Sequence, residues 1–263
     1  MVMKRNAMRK NLTQSILKSF GRYIAIVMII ALGASMFVGL LMTKSDMVAT
    51  GQKFMNEQNM FDLRFVNAYG WSQEDVDAIS QLEGLEEVEG IQYTDLIVRL
   101  NDSTDDQVFR LYAMPEKINL FALRGGRLPE KKDECLIDGY HMDDSILGTV
   151  ITVSDANKDD ALESVNCTSF TVVGYIASPM YMDMNRGTTS VGSGSLSNYI
   201  YVPGESLDMD YYTEINATIP GTYAVYSKAY NDVLEAWAEE LEPQLQPYAD
   251  ARLTEVKKEA IRL

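Results

Sequence analysis

Residues 23–42, YIAIVMIIALGASMFVGLLM, are twenty consecutive positions without a charge. At 1.5 Å of rise per residue they make about 30 Å of helix, the thickness of a bilayer hydrocarbon core. A secretory signal has a shorter apolar region, about 7–15 residues, and a small-x-small cleavage site. The residues that follow here, Thr43-Lys44-Ser45-Asp46-Met47, hold no Ala-x-Ala. A helix in a soluble core is seldom apolar on every side. The run therefore reads as a transmembrane helix, and it divides the chain in two.

The two sides differ in charge. Residues 1–22 carry Lys4, Arg5, Arg9, Lys10, Lys18 and Arg22 and no acid. The whole chain of 263 residues has 23 Lys and Arg against 38 Asp and Glu, a formal net charge of −15. Setting those six bases aside leaves 17 bases against 38 acids beyond residue 22, a balance of −21. The positive-inside rule then predicts a cell-membrane protein with a cytoplasmic N-terminus and an extracytoplasmic segment after Met42. An outer segment this acidic excludes nucleic acid as a partner, because phosphate neutralisation takes clustered Lys and Arg. Leu12, Ile16, Leu17 and Phe20 recur at helical spacing among the bases. They predict that residues 1–22 are an amphipathic leader lying along the headgroups of the lipid bilayer.

Within the span, Ala31, Ser35 and Gly39 fall every fourth residue and share one face. Small side chains at that spacing let a second helix approach closely in lipid, where burial of apolar surface drives nothing. The face predicts a helix that packs in a bundle. Gly and Ala are also simply common in membrane helices, and a lone tether is the competing reading.

Beyond the span the patterns are mixed. Residues 43–60 read as a helical stalk continuing the span, and residues 61–226 as an extracytoplasmic α+β domain. Strand alternation starts at Phe61-Asp62-Leu63-Arg64-Phe65-Val66, and a helix follows over 72–82 with a capping-box start at Ser72 and Asp75. Residues 88–100 form a long strand or a bent pair, and 107–114 a further strand. More strands are expected at 134–138, 150–153, 169–176, 199–202 and 214–219, while Gly187 to Ser195 reads as a flexible loop. Residues 227–263 turn helical, with a stripe of Ala229, Tyr230, Val233, Leu234, Trp237 and Leu241 that Pro243 and Pro247 interrupt. This predicts C-terminal helices that run on, past an uncapped Leu263, into a longer stalk or coiled coil. The layout is α+β, not a βαβ repeat.

Catalytic patterns are absent from the sequence. There is no G-x-x-x-x-G-K-[ST], and Gly192-Ser193-Gly194-Ser195-Leu196 does not complete G-x-S-x-G. His141 is the one histidine, so multi-His metal sites are excluded, and it reads as a surface residue of a polar loop. Asp155, Asn157 and Asp159 open like a calcium loop, but Asp160 replaces the required Gly and Asn166 the closing Glu. A solvated turn is the better reading. Cys135 and Cys167 are permitted a disulfide by their compartment, yet their strand context favours free, buried thiols. No catalytic, cofactor-binding or metal-ligating residue is predicted, and no cofactor. The chain reads as a non-enzyme.

Several stretches together resemble the FtsX-like ABC transporter permeases, and the outer segment resembles their MacB-type periplasmic core domain. Phe61-Asp62-Leu63-Arg64-Phe65 is similar to the strand leaving the stalk. Leu123-Arg124-Gly125-Gly126-Arg127-Leu128-Pro129 with Asp133-Glu134-Cys135-Leu136-Ile137 is similar to a "G-R-x-P … x-E-hydrophobic" passage. Ile146-Leu147-Gly148-Thr149-Val150-Ile151-Thr152-Val153 and Phe170-Thr171-Val172-Val173-Gly174-Tyr175-Ile176, with Ser178-Pro179, are similar to two later strands. The resemblance implies a permease subunit driven by a cytoplasmic ABC ATPase, with further transmembrane helices of the same or a second permease subunit as partners. It implies no catalytic residues. A full permease of this type has four spans and this chain has one, so the expectation is an N-terminal part. The alternative is a single-pass, membrane-anchored binding or adhesion module that works without ATP.

Overall fold

The computed structural model describes residues 3–262 apart from Asp102, His141, Thr222 and Tyr226. The expectation for His141, and the uncapped end at Leu263, lie outside the described residues. The chain divides into two units, Met1–Lys53 and Phe54–Leu263. The first contains α1 (Met3–Lys18) and most of α2 (Phe20–Glu57). Large apolar side chains stand exposed on every side of α2; Met28, Ile30, Met36 and Val38, spread around the helix, are 60%, 65%, 70% and 52% exposed. Among the described residues it is the one helix long and apolar enough to cross a membrane. A helix of this length with an apolar surface all round is stable in hydrocarbon rather than in water, because hydrocarbon satisfies its surface and its backbone bonds are internal.

Among the described residues the second unit contains ten strands. β3 (Tyr93–Leu100), β4 (Gln107–Ala113), β6 (Glu134–Asp138), β7 (Val150–Val153), β8 (Ser169–Ala177) and β9 (Asn198–Val202) pair in the order β8-β6-β9-β4-β3-β7. β7 also pairs with β8, so the six strands close into a ring. The β4–β9 and β6–β8 pairs are parallel and the others antiparallel. Because alternate residues of a strand point to opposite faces, each strand turns two residues into the ring. They are Leu96 and Val98, Phe109 and Leu111, Cys135 and Ile137, Ile151 and Val153, Phe170 and Val172, and Ile200 and Val202. This is the main core. Closure leaves these strands without an open edge, save where β5 (Ala122–Gly126) adds onto β8.

A smaller sheet, β1 (Leu63–Trp71), β10 (Tyr212–Ala217) and β2 (Val88–Ile91) in the order β1-β10-β2, forms a second layer. α3 (Gln73–Ile79) and α5 (Lys228–Arg262) supply apolar side chains to its core, where Val76, Ile79 and Leu241 meet Leu63, Trp71, Ile215 and Ala217, while the short α4 (Asp159–Glu163) lies between β7 and β8 in the chain. The capping box expected at the start of α3 is present, with Ser72 and Asp75 bonding each other's backbone N–H. Residues 88–100 are the bent pair: β2 belongs to the small sheet and β3 to the ring, with the break at Gln92.

Four expectations need correction. α5 is one continuous helix through Pro243 and Pro247 rather than several. β5, at 122–126, was not expected from its Gly-rich sequence; pairing with β8 forms it. The turn at 155–160 is not simply solvated: buried Asn157 accepts from Ile97 N (2.7 Å) and donates to Ile97 O (2.8 Å), acting as a strand neighbour for β3. The Gly-Ser run at 187–195 is pinned by a Thr188–Ser195 bridge and by the Thr189 N–H donating to Gly194 O (3.2 Å). Both cysteines are free, Cys135 buried in the ring and Cys167 half-buried, and burial raises the pKa of each thiol.

Candidate functional site

A dense set of specific polar contacts surrounds the C-terminal end of α2. The helix stops in a Schellman motif: the Met60 N–H reaches Met55 O (3.0 Å) and the Asn59 N–H reaches Asn56 O (3.2 Å). Asn59 occupies the left-handed region at φ +47°, a position Asn tolerates better than most residues. Its side chain donates to Glu87 Oε2 (2.6 Å) and to Lys117 O (2.9 Å). A second left-handed residue, Asn119 (φ +57°), faces it from the 116–121 loop. The Asn119 N–H donates to Asn59 O (2.9 Å), the Leu120 N–H to Gln58 O (2.8 Å), and Asn119 Oδ1 accepts from the Phe61 N–H (3.1 Å). That loop is itself held by Glu89 of β2, whose carboxylate accepts the N–H groups of Glu116 (2.7 Å), Lys117 (3.1 Å) and Ile118 (2.6 Å).

The same exit is tied to α5. Asp62 accepts the Tyr230 hydroxyl (2.6 Å) and the Ile219 N–H (2.9 Å), and its own N–H reaches Ala217 O (2.9 Å). Met55, Asp62, Glu86, Tyr223, Tyr230 and Leu234 are among the residues around an adjacent cavity of about 400 Å³. The end of α2, the β2 edge, the 116–121 loop and the first turn of α5 thus share one hydrogen-bonded junction. These contacts are short, directional and largely to backbone, so displacing residues 58–62 breaks several bonds at once.

A second constellation covers the outer face of the ring. Asp138, at the end of β6, accepts the Arg186 guanidinium through Nε (2.9 Å) and Nη2, and also the Tyr199 hydroxyl (3.2 Å). Arg186 also donates to Asp183 O and lies near the Tyr140, Tyr181 and Tyr199 rings at 5.4–5.8 Å. Tyr181 stacks on Tyr199 at 4.2 Å and bonds Tyr112 through their hydroxyls (2.7 Å). Burial pushes the phenols of Tyr112, Tyr199 and Tyr201 well up, so they remain neutral donors. The effect is to strap the segment after β8 onto β6 and β9.

The passage containing Gly125, Gly126, Arg127 and Glu134 proves to be a clamp. Gly126 has φ +78°, and a Cβ there would stand 2.2 Å from Val173 O. Arg127 grips Glu134 through two bonds of 2.7 and 2.6 Å, and the Glu130 N–H adds a third (2.8 Å). The Arg127 pairing, foremost, holds the Glu134 carboxyl down at about 2. A depressed carboxylate stabilises the fold above its ordinary value of 4.5, and that contribution is lost as pH falls toward about 2. Glu134→Gln is therefore expected to flatten the loss of stability across that acid window, measured by urea unfolding at a series of pH values.

Ala31, Ser35 and Gly39 lie exposed along α2, as their spacing requires. The Ser35 hydroxyl turns back to Leu32 O (3.0 Å), and a Cβ on Gly39 would meet nothing within 4 Å. Thr43 continues the four-residue series, its hydroxyl on Gly39 O (2.8 Å); the same periodicity identifies it. Among the described residues, no group of three or more His, Cys, Asp or Glu is placed to hold a metal ion. Asn59, Asn119, Asp138 and Arg186 belong to no motif in the sequence, because each acts through a partner distant in the chain.

No family model matches the sequence, and no curated protein matches it significantly. Among solved structures the chain is similar to the extracellular domain of the noncanonic ABC-type transporter YknZ from Gram-positive bacteria. They share 13% identity over 64% of this chain and 80% of that one, with a TM-score of 0.33. It is also similar to the periplasmic region of MacB from Actinobacillus actinomycetemcomitans, at 12% identity over 74% and 91%, TM-score 0.36. A third likeness is to a domain assigned to a permease protein from Porphyromonas gingivalis, at 13% identity over 72% and 71%, TM-score 0.36.

Proposed function

We propose that this chain is the N-terminal part of a permease subunit of an ABC transporter of the FtsX/MacB type. In this reading a cytoplasmic partner ATPase moves the membrane helices, and the outer domain turns that movement into work outside the membrane. The carrying observation is the junction at 58–62. One helix, α2, includes both the apolar run and the capped end, and that end is bonded to the small sheet, the 116–121 loop and α5. A passive tether needs none of these bonds; a flexible linker would serve it. The charge asymmetry about the span supports an N-terminus in the cytoplasm and residues 43–263 outside. The role is mechanical rather than catalytic, and its cofactor chemistry belongs to the ATPase.

Under this proposal the face of Ala31, Ser35, Gly39 and Thr43 packs against another membrane helix, of the same or a second permease subunit. Ser35→Leu places a large side chain where backbones approach closely. In detergent extracts resolved on native gels, the wild-type protein is expected to run as a multi-subunit complex and S35L as a single chain with an unchanged outer domain. An S35L complex of wild-type size contradicts the proposal and favours the tether.

A further inference from the structure

Along β10 successive side chains alternate between the two faces of the small sheet. Ile215 and Ala217 point into the core shared with α3 and α5, so Glu214 and Asn216 point to the opposite face. Ile91 of β2, the register partner of Glu214, packs on that face against Tyr112 and Tyr201 of the outer side of the ring. Glu214 is thus held between the two sheets, with its side chain 3% exposed. No donor grips it as the other buried acids are gripped. Arg127 reaches Glu134 at 2.6 Å and Arg186 reaches Asp138 at 2.9 Å. The contacts of the Glu214 carboxylate among the described residues are Asn216 Nδ2 at 3.4 Å and Arg64 Nη1 at 3.8 Å, both longer than a full hydrogen bond. Asn216 is itself fully buried, and its Oδ1 has no partner among the described residues.

We infer that Glu214 is a proton-binding site between the small sheet and the ring, and that its ionisation loosens the packing of one on the other. This goes beyond the permease reading and does not depend on it. A carboxylate buried without full-strength donors is costly, and such a group takes up a proton instead. The charges around it do not remove that cost. From β1, Arg64 favours ionisation, but its side chain is 53% exposed and solvent screens it. From β2, Glu89 stands opposite Asn216 and so diagonal to Glu214, a second acid whose carboxylate is taken up by the 116–118 backbone. From β4, Arg110 is the other cation, and it is committed to Asp95 of β3 through two bonds of 2.6 and 2.8 Å. The phenols of Tyr93, Tyr112 and Tyr201 complete the surroundings, kept neutral chiefly by burial. Burial likewise raises the Glu214 carboxyl above 4.5, against the opposing pull of Arg64, Asn216 and Arg110. Folding then favours the protonated acid. Its stabilisation is fully present below 4.5 and is lost as pH rises through the raised value, the reverse of Glu134.

The test uses the full chain in lipid nanodiscs at a series of pH values from 4.5 upward. The parent carries His141→Gln, which removes the chain's one histidine and its own titration, and Glu214→Gln and Arg64→Gln are made in that parent. Infrared difference spectra read the carboxyl directly. The parent is expected to show a protonated-carboxyl C=O band that disappears as pH rises and that E214Q lacks. R64Q should move its disappearance to higher pH by about one pH unit, because the nearest cation is gone. Amide exchange reads the packing, compared with E214Q at each pH so that the intrinsic rate cancels. Residues 212–217 of the parent are expected to lose protection as the band disappears. Identical bands in the parent and E214Q, an R64Q transition at unchanged or lower pH, or protection of 212–217 that matches E214Q at every pH overturns the inference. Should E214Q fail to fold, the direction of the R64Q displacement decides between the two outcomes.

Discussion

Replacing Asp138 with Ala is expected to lower the stability of the outer domain by about 3–5 kcal/mol, the range for breaking one side of a buried ion pair. The side chains of Asp138 and Arg186 are 8% and 5% exposed. Arg cannot shed its charge, so without Asp138 a guanidinium stays buried among Tyr140, Tyr181 and Tyr199 with only Asp183 O as a further bond. The Tyr199 hydroxyl and the Tyr140 N–H lose their acceptor as well. Near-UV circular dichroism of the tyrosines during urea unfolding reads the loss, and limited proteolysis should cut between residues 178 and 197 only in the variant. The double change Asp138→Leu with Arg186→Met should cost less than Asp138→Ala alone, because it leaves no charge unpaired. Wild-type stability in D138A would mean that the strap does not hold the segment after β8.

The second large effect lies inside the ring. Phe109 is 1% exposed and meets the inward residues of neighbouring strands. Phe109→Ala removes most of a ring-filling side chain from a closed barrel whose strands are fixed by their pairing, so the void does not collapse. The expected cost is about 3–5 kcal/mol. Val150, on the outer side of β7 and 37% exposed, serves as the contrast: Val150→Ala should change stability by no more than about 0.5 kcal/mol. Equal, small effects at both positions would contradict a closed ring, because an open sheet at this place could relax around the missing side chain.

Much of the fold was legible because its signals are local. The alternation in Phe170-Thr171-Val172-Val173 marks β8, and the capping box at Ser72 marks α3; each depends on residues a few positions apart. What was not legible depends on distant partners. Ring closure comes from β7 pairing with β8 as well as β3, and nothing in Val150-Ile151-Thr152-Val153 specifies two neighbours. β5 has two glycines among its five residues and takes its strand form from β8. Arg186 directly precedes a Gly-Ser run whose composition suggests mobility, yet its partner Asp138 lies 48 residues away. The Arg127–Glu134 clamp shows the opposite case. The motif was visible as a folding signal, and the structure adds the paired charges that make it one. The junction was half visible: the stalk-to-strand change near Met60 was expected, but Asn59 and Asn119 meet across 60 residues of chain.

The most direct test of the central claim is affinity purification of the full-length protein from its native membranes in mild detergent, followed by mass spectrometry and an ATP-hydrolysis assay. The permease reading predicts that a nucleotide-binding subunit is retained in stoichiometric amount and that the preparation hydrolyses ATP. A protein isolated without any nucleotide-binding subunit, and without ATP hydrolysis, would contradict it.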